Sequence, residues 1–92
     1  MNSINVTLGT APNGVRVWGV SGKKNDGLHI GRSVEKPYLD QKLPPTASDE
    51  EYHYEVAKYA SKMFFEMLKD YDVPFNKNDY EFICCGQRYT IK

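Results

Sequence analysis

The sequence predicts an α+β domain of two layers, in the order βββαββ, with an antiparallel sheet packed on one long helix over about residues 49–71. The prediction rests on three features. One stretch alone, Ser48 to Asp72, keeps a long helical period. Both flanks carry short alternating segments bounded by glycine and proline. No second helix of comparable length is present to bury the first, so its apolar side must face a sheet built from the flanks.

The helix has a marked start and stop. Ser48 with Glu51 three residues on forms a capping box, and Asp49 and Glu50 add negative charge to the first turn. Pro74 cannot donate to the preceding turn and pushes Val73 out of helical geometry. At about 100° per residue, Tyr52, Val56, Tyr59, Ala60, Met63, Phe64, Met67, Leu68 and Tyr71 share one half of the cylinder. Glu51, Glu55, Lys58, Lys62, Glu66 and Lys69 fall on the other half. Tyr54 and Phe65 are expected together on this back side, at about 200–220°, with Lys58 beside them and the core face centred at about 70°.

Ile4, Val6 and Leu8 alternate with Asn5 and Thr7 as in a half-buried strand. The turn Ala11-Pro12-Asn13-Gly14 joins it to a second strand, Val15 to Val20. A polar loop, Ser21 to Gly27, leads to a third strand, Leu28 to Val34. With Val15, Val17, Leu28 and Ile30 facing the helix, the open face shows Arg16, Trp18, His29 and Arg32; a one-residue shift near Gly19 turns Trp18 inward with Val20 instead. Glu35 to Ala47 holds Pro37, Pro44 and Pro45 and reads as a crossover loop. At the C-terminal end, Gly86-Gln87 suits a type II′ hairpin turn that pairs Cys85 with Arg88, Cys84 with Tyr89, Phe82 with Ile91 and Glu81 with Lys92. That register puts Tyr80, Phe82, Cys84, Tyr89 and Ile91 in the core and Cys85 in solvent.

Ninety-two residues make one domain, 1–92, with room for one modest core. No apolar run approaches the ~18 residues of a membrane span, and no signal peptide is recognisable. The chain opens on Met1 without a tag and is expected to be a complete small cytoplasmic protein. The formal charge is zero, but residues 1–43 carry six basic against three acidic side chains, and residues 44–81 carry four against nine. A mildly basic set of strands therefore accompanies an acidic helix. The two cysteines, Cys84 and Cys85, are neighbours, and Cα atoms ~3.8 Å apart lie below the usual span of a disulfide. Unpaired thiols fit a reducing compartment.

No catalytic or cofactor motif is evident. Cys84 and Cys85 point to opposite sides of a strand, and His29 and His53 lack flanking ligands, so no metal site is expected. Cys85 is the exposed nucleophile candidate, with Arg88 opposite it, but no base is identifiable nearby. Ser21 to Gly27 has neither the spacing of a phosphate loop nor a following helix. No enzyme and no cofactor are expected.

Two binding functions remain. The first is protein binding: Tyr54, Lys58 and Phe65 on the back of the helix have the composition of an interface core, with Trp18 among basic residues as a second patch. In length, tyrosine content and lack of motifs the chain is similar to the small inhibitors that phages encode against host defences, anti-CRISPR proteins among them. That resemblance implies a stoichiometric inhibitor or regulator of a protein partner and carries over no residue. The alternative is nucleic-acid binding. Over about residues 4–70 the layout of three strands and a helix resembles plant AP2 domains and integrase arm-binding domains. The resemblance rests on Arg16, Trp18, Lys23, Lys24, His29 and Arg32, and it implies that these residues bind nucleic acid from the open sheet face.

Overall fold

The computed structural model describes residues 2–23 and 27–90. Its elements are β1 (Asn2–Thr10), β2 (Arg16–Lys23), β3 (His29–Glu35), α1 (Lys36–Lys42), α2 (Asp49–Asp70), β4 (Tyr80–Cys84) and β5 (Gln87–Tyr89). The sheet runs β3-β2-β1-β4-β5, and both helices lie on one side of it. This is the expected two-layer α+β architecture, with two additions.

The first addition is a parallel pairing at the centre of the sheet. β1 pairs antiparallel with β2 but parallel with β4, with Ile4 opposite Phe82 and Val6 opposite Cys84. All four side chains are buried, so the pairing closes the core from the strand side. The second addition is α1, which occupies most of the expected crossover loop. Pro37 sits in its first turn, where a missing N–H costs nothing and the fixed φ suits a helix. Leu39 anchors it, at 1% exposure. A polar chain then ties it to the rest of the molecule. Trp18 Nε1–H donates to Tyr52 Oη at 3.3 Å, Tyr52 donates to Asp40, and Lys36 Nζ donates to Asp40 at 2.6 Å. Burial works to raise the Asp40 pKa, yet the hydrogen bonds from Lys36 and Tyr52 outweigh it and hold the carboxyl below its ordinary value.

β2 turns Trp18, Val20 and Gly22 toward the helices. The inward alternative for Trp18 is thus the one adopted, and the side chain is 2% exposed. Val17 lies on the opposite, open face, and Leu28, expected to face the helix, is exposed. Gly22 packs closely under the core: a Cβ there would meet Ile4 Cδ1 at 2.3 Å, so that the Ile4 side chain would have to shift, and the Phe64 ring at 3.4 Å. The first turn is as expected, with Gly14 at φ 86° and its N–H donating to Ala11 O at 2.9 Å.

Helix α2 begins at its capping box. Ser48 Oγ accepts from Glu51 N–H at 3.2 Å, and Glu51 reaches back to Ala47 N–H at 2.9 Å. Its end is a Schellman turn made before the proline. Val73 N–H donates to Leu68 O at 2.9 Å and Asp72 N–H to Lys69 O at 3.0 Å, with Asp72 left-handed at φ 57°. The buried face is Val56, Ala57, Ala60, Ser61, Phe64, Phe65, Met67 and Leu68, rotated by roughly 50° from the expected stripe. Tyr52, Tyr59 and Met63 only flank the core, and Tyr71 is exposed.

The C-terminal hairpin turns at Cys85-Gly86, with φ of 51° and 81°, the two positive values a type I′ turn needs. Cys84 pairs with Gln87, Ile83 with Arg88 and Phe82 with Tyr89. This replaces the expected type II′ turn at Gly86-Gln87. The register differs from the expected one by two residues, which leaves Tyr80, Phe82, Cys84 and Tyr89 on their expected face. Cys84 is accordingly buried and Cys85 exposed, both as free thiols. The expected partners Ile91 and Lys92 lie outside the described residues; Glu81 instead meets Arg88 at 3.9 Å and accepts from Ser3 Oγ at 2.7 Å.

Candidate functional site

Side-chain alternation on the strands and the rotation of α2 decide where each candidate residue lies. Tyr54 remains on the outer side of the helix, 41% exposed, with its ring 5.8 Å from that of Tyr89. Lys58 is also outside, its Nζ 5.7 Å above the Tyr54 ring and 3.7 Å from Glu55. Phe65 is not with them. At 5% exposure it stacks on Phe75 (centroids 5.0 Å apart, 9° between planes) and meets Tyr80 and Phe82 edge-on at 5.6 and 5.8 Å. The segment after the helix folds back over this flank, which is why the expected exposed Phe65 is core.

The expected sheet-face residues are divided as well. Arg16 and Arg32 share the helix side with buried Trp18. Arg16 Nε–H donates to Gly9 O at 3.2 Å, and Arg32 lies 3.7 Å from Asp70. Lys23 and His29 pair across β2 and β3 at one end of the open face. Lys24 lies outside the described residues. The middle of the open face is small and polar: Asn5, Thr7, Gly19, Ser21, Gly31 and Ser33. Arg16, Trp18 and Arg32 therefore do not form one patch with Lys23 and His29.

On the outer side of α2, two grooves of opposite charge flank Tyr54 and Lys58. The larger, of about 450 Å³, lies between the Pro44-Pro45 turn, the first turns of α2 and Tyr89. Glu50, Glu51 and Glu55 line it. The smaller, of about 230 Å³, is floored by Phe65 and lined by Lys58, Lys62, Lys69 and Lys77, with Glu66 the one acid. Lys77 Nζ stands 5.6 Å from the Phe65 ring centroid, so the buried phenyl still shows an edge to a cation. The Tyr89 hydroxyl is buried without a hydrogen-bond partner among the described residues. Burial raises its pKa, with Cys84, Glu50 and Cys85 adding to the effect, so the phenol stays protonated.

One contact joins residues that sequence reading kept apart. Cys85 Sγ lies 3.5 Å from His53 Nε2, although 32 positions separate them. The left-handed φ of Cys85 brings its thiol back toward the helix. A thiol beside an imidazole is the first half of a nucleophilic site; the second half is a place for substrate and an anion-stabilising donor pair. Burial pushes the neighbouring Cys84 thiol up to about 12. Among the described residues, no group of three or more His, Cys, Asp or Glu side chains is placed to hold a metal ion. Nor is any described helix long and apolar enough to cross a membrane.

No protein-family model, characterised protein or solved structure matches this chain.

Proposed function

We propose that the protein is a non-enzymatic binding module that acts stoichiometrically on a protein partner through the outer face of α2. The observation that carries this reading is the pairing of exposed Tyr54 with Tyr89 and Lys58 on a rigid, well-capped helix, between two charged grooves. A long helix held on one side by a sheet loses little conformational entropy when its other side docks. Tyrosines with a long basic side chain and flanking charges give an anchor and a polar rim. In line with the similarity in length and tyrosine content to phage-encoded inhibitors of host defences, such a module would act as an inhibitor or regulator. Two free thiols accord with a cytoplasmic setting.

The test is capture from host extract by the immobilised protein, with and without nuclease treatment, beside a Tyr54→Ala variant. A specific protein that survives digestion and is lost by Tyr54→Ala supports the reading. Capture that disappears with the nucleic acid selects nucleic-acid binding instead.

A further inference from the structure

We infer that the groove at the start of α2 takes an arginine side chain from a basic segment of the protein partner. This inference rests on the protein-binding reading above and names the partner's chemistry. The walls are apolar and aromatic: Pro44 and Pro45 on one side, Tyr54 and Tyr89 on the other, their rings tilted by 54°. The charges on the groove are all acidic, and no described Lys or Arg lines it. Glu51 is partly committed to the Ala47 N–H and Glu55 faces Lys58 at 3.7 Å, which leaves Glu50 as the principal acceptor with Glu55 shared between Lys58 and the guest.

The molecule already places one of its own cations on this wall. Lys58 sits over the Tyr54 ring while facing Glu55, which is the combination a bound guanidinium would repeat on the groove side. Among cations, arginine fits best. Its planar, weakly hydrated head stacks on tyrosine and donates through a fork to carboxylates, whereas an ammonium is a compact and strongly hydrated charge. Phosphate-bearing ligands are disfavoured here by like charge.

The experiment is an NMR titration of the isotope-labelled protein with a blocked peptide of alternating arginine and alanine. The same peptide with citrulline, and one with lysine, serve as comparisons. The arginine peptide is expected to shift the amides of Thr46, Glu50, Tyr54 and Tyr89. Citrulline should bind at least about tenfold more weakly, because it keeps the shape and loses the charge. A Glu50→Gln/Glu55→Gln variant should raise Kd at least about fivefold while keeping a cooperative unfolding transition, its midpoint lowered only slightly by the lost first-turn charge and the Lys58 pair. Shifts confined to other surfaces, equal binding of citrulline or lysine, or parent-like binding by the double variant would each overturn the inference. If Tyr54→Ala loses the captured partner while the parent ignores the arginine peptide, this inference alone fails. If Tyr54→Ala keeps the partner and loses the peptide, the groove stands and the protein-binding role of the face fails.

Discussion

The two flanks of α2 both carry aromatic side chains, and they are used in opposite ways. On one flank Tyr52, Tyr59 and Met63 border the core and keep contact with solvent. On the other, Ala57, Ser61 and Phe65 are buried under the returning chain, Phe65 between Phe75, Tyr80 and Phe82. The difference lies in one oxygen atom. A tyrosine ring is apolar at its base and favours a partner or water at its tip, and each tyrosine of α2 accordingly sits at the rim or outside it. Phenylalanine has no such demand. Tyr52 shows the rule, its hydroxyl accepting from Trp18 and donating to Asp40 at the edge of the core. Small side chains at Ala57 and Ser61 then let the other flank approach the strands closely, and Ser61 Oγ is satisfied by Lys58 O at 2.7 Å.

The sharpest way to break this comparison is to truncate one aromatic on each flank. Phe65→Ala should cost about 3–5 kcal/mol, because it empties a buried site walled by Phe75, Tyr80 and Phe82. Tyr59→Ala, at the rim, should cost less than about 1.5 kcal/mol. Denaturation midpoints measure both, and equal losses would mean that the flanks are not distinct. A smaller effect is expected where the helix stops. Asp72 holds a left-handed φ that glycine adopts without penalty, so Asp72→Gly should stabilise the fold by about 0.5–1 kcal/mol. A loss of stability would show that the Asp72 side chain matters more than its backbone.

The smallest effect concerns the polar rim of the tyrosine flank. The Asp40 pKa is held below its ordinary value of 3.8, so its contribution is present above that pH and fades as the pH falls through the lower folded-state value. Asp40→Asn should thus be less stable than the parent at neutral pH. The gap is expected to be under about 1 kcal/mol, because the exposed pair with Lys36 is screened by solvent. It should close in acid. A gap that stays constant below pH ~3 would separate Asp40 from this network.

Much of the fold is legible from local pattern. The capping box, the Ala11–Gly14 turn and the facing of Cys84 and Cys85 all follow from residues within a few positions of one another. What pattern does not give is long-range. The parallel pairing of β1 with β4 joins segments from opposite ends of the chain, and nothing in Ile4 or Phe82 taken singly specifies it. A helical wheel weights Tyr and Phe alike, which turned the core face of α2 by roughly 50°. Three prolines read as loop, although Pro37 suits a first helical turn, and Leu39, Leu43 and the Asp40 network hold α1 in place. The site divides in the same way. Tyr54 and Lys58 were readable as outward neighbours on one helix. The Pro44-Pro45 wall, the Tyr89 ring and the approach of His53 to Cys85 arise only when distant segments meet.

The central claim is that the outer face of α2, centred on Tyr54, is the surface that binds. The most direct measurement is the affinity of the captured partner for the parent and for Tyr54→Ala, with the unfolding midpoint recorded on the same samples. Loss of a central aromatic anchor should weaken binding by at least about 2 kcal/mol, roughly a thirtyfold rise in Kd, while the midpoint stays within error of the parent. Parent-like affinity in a variant that folds like the parent would contradict the claim.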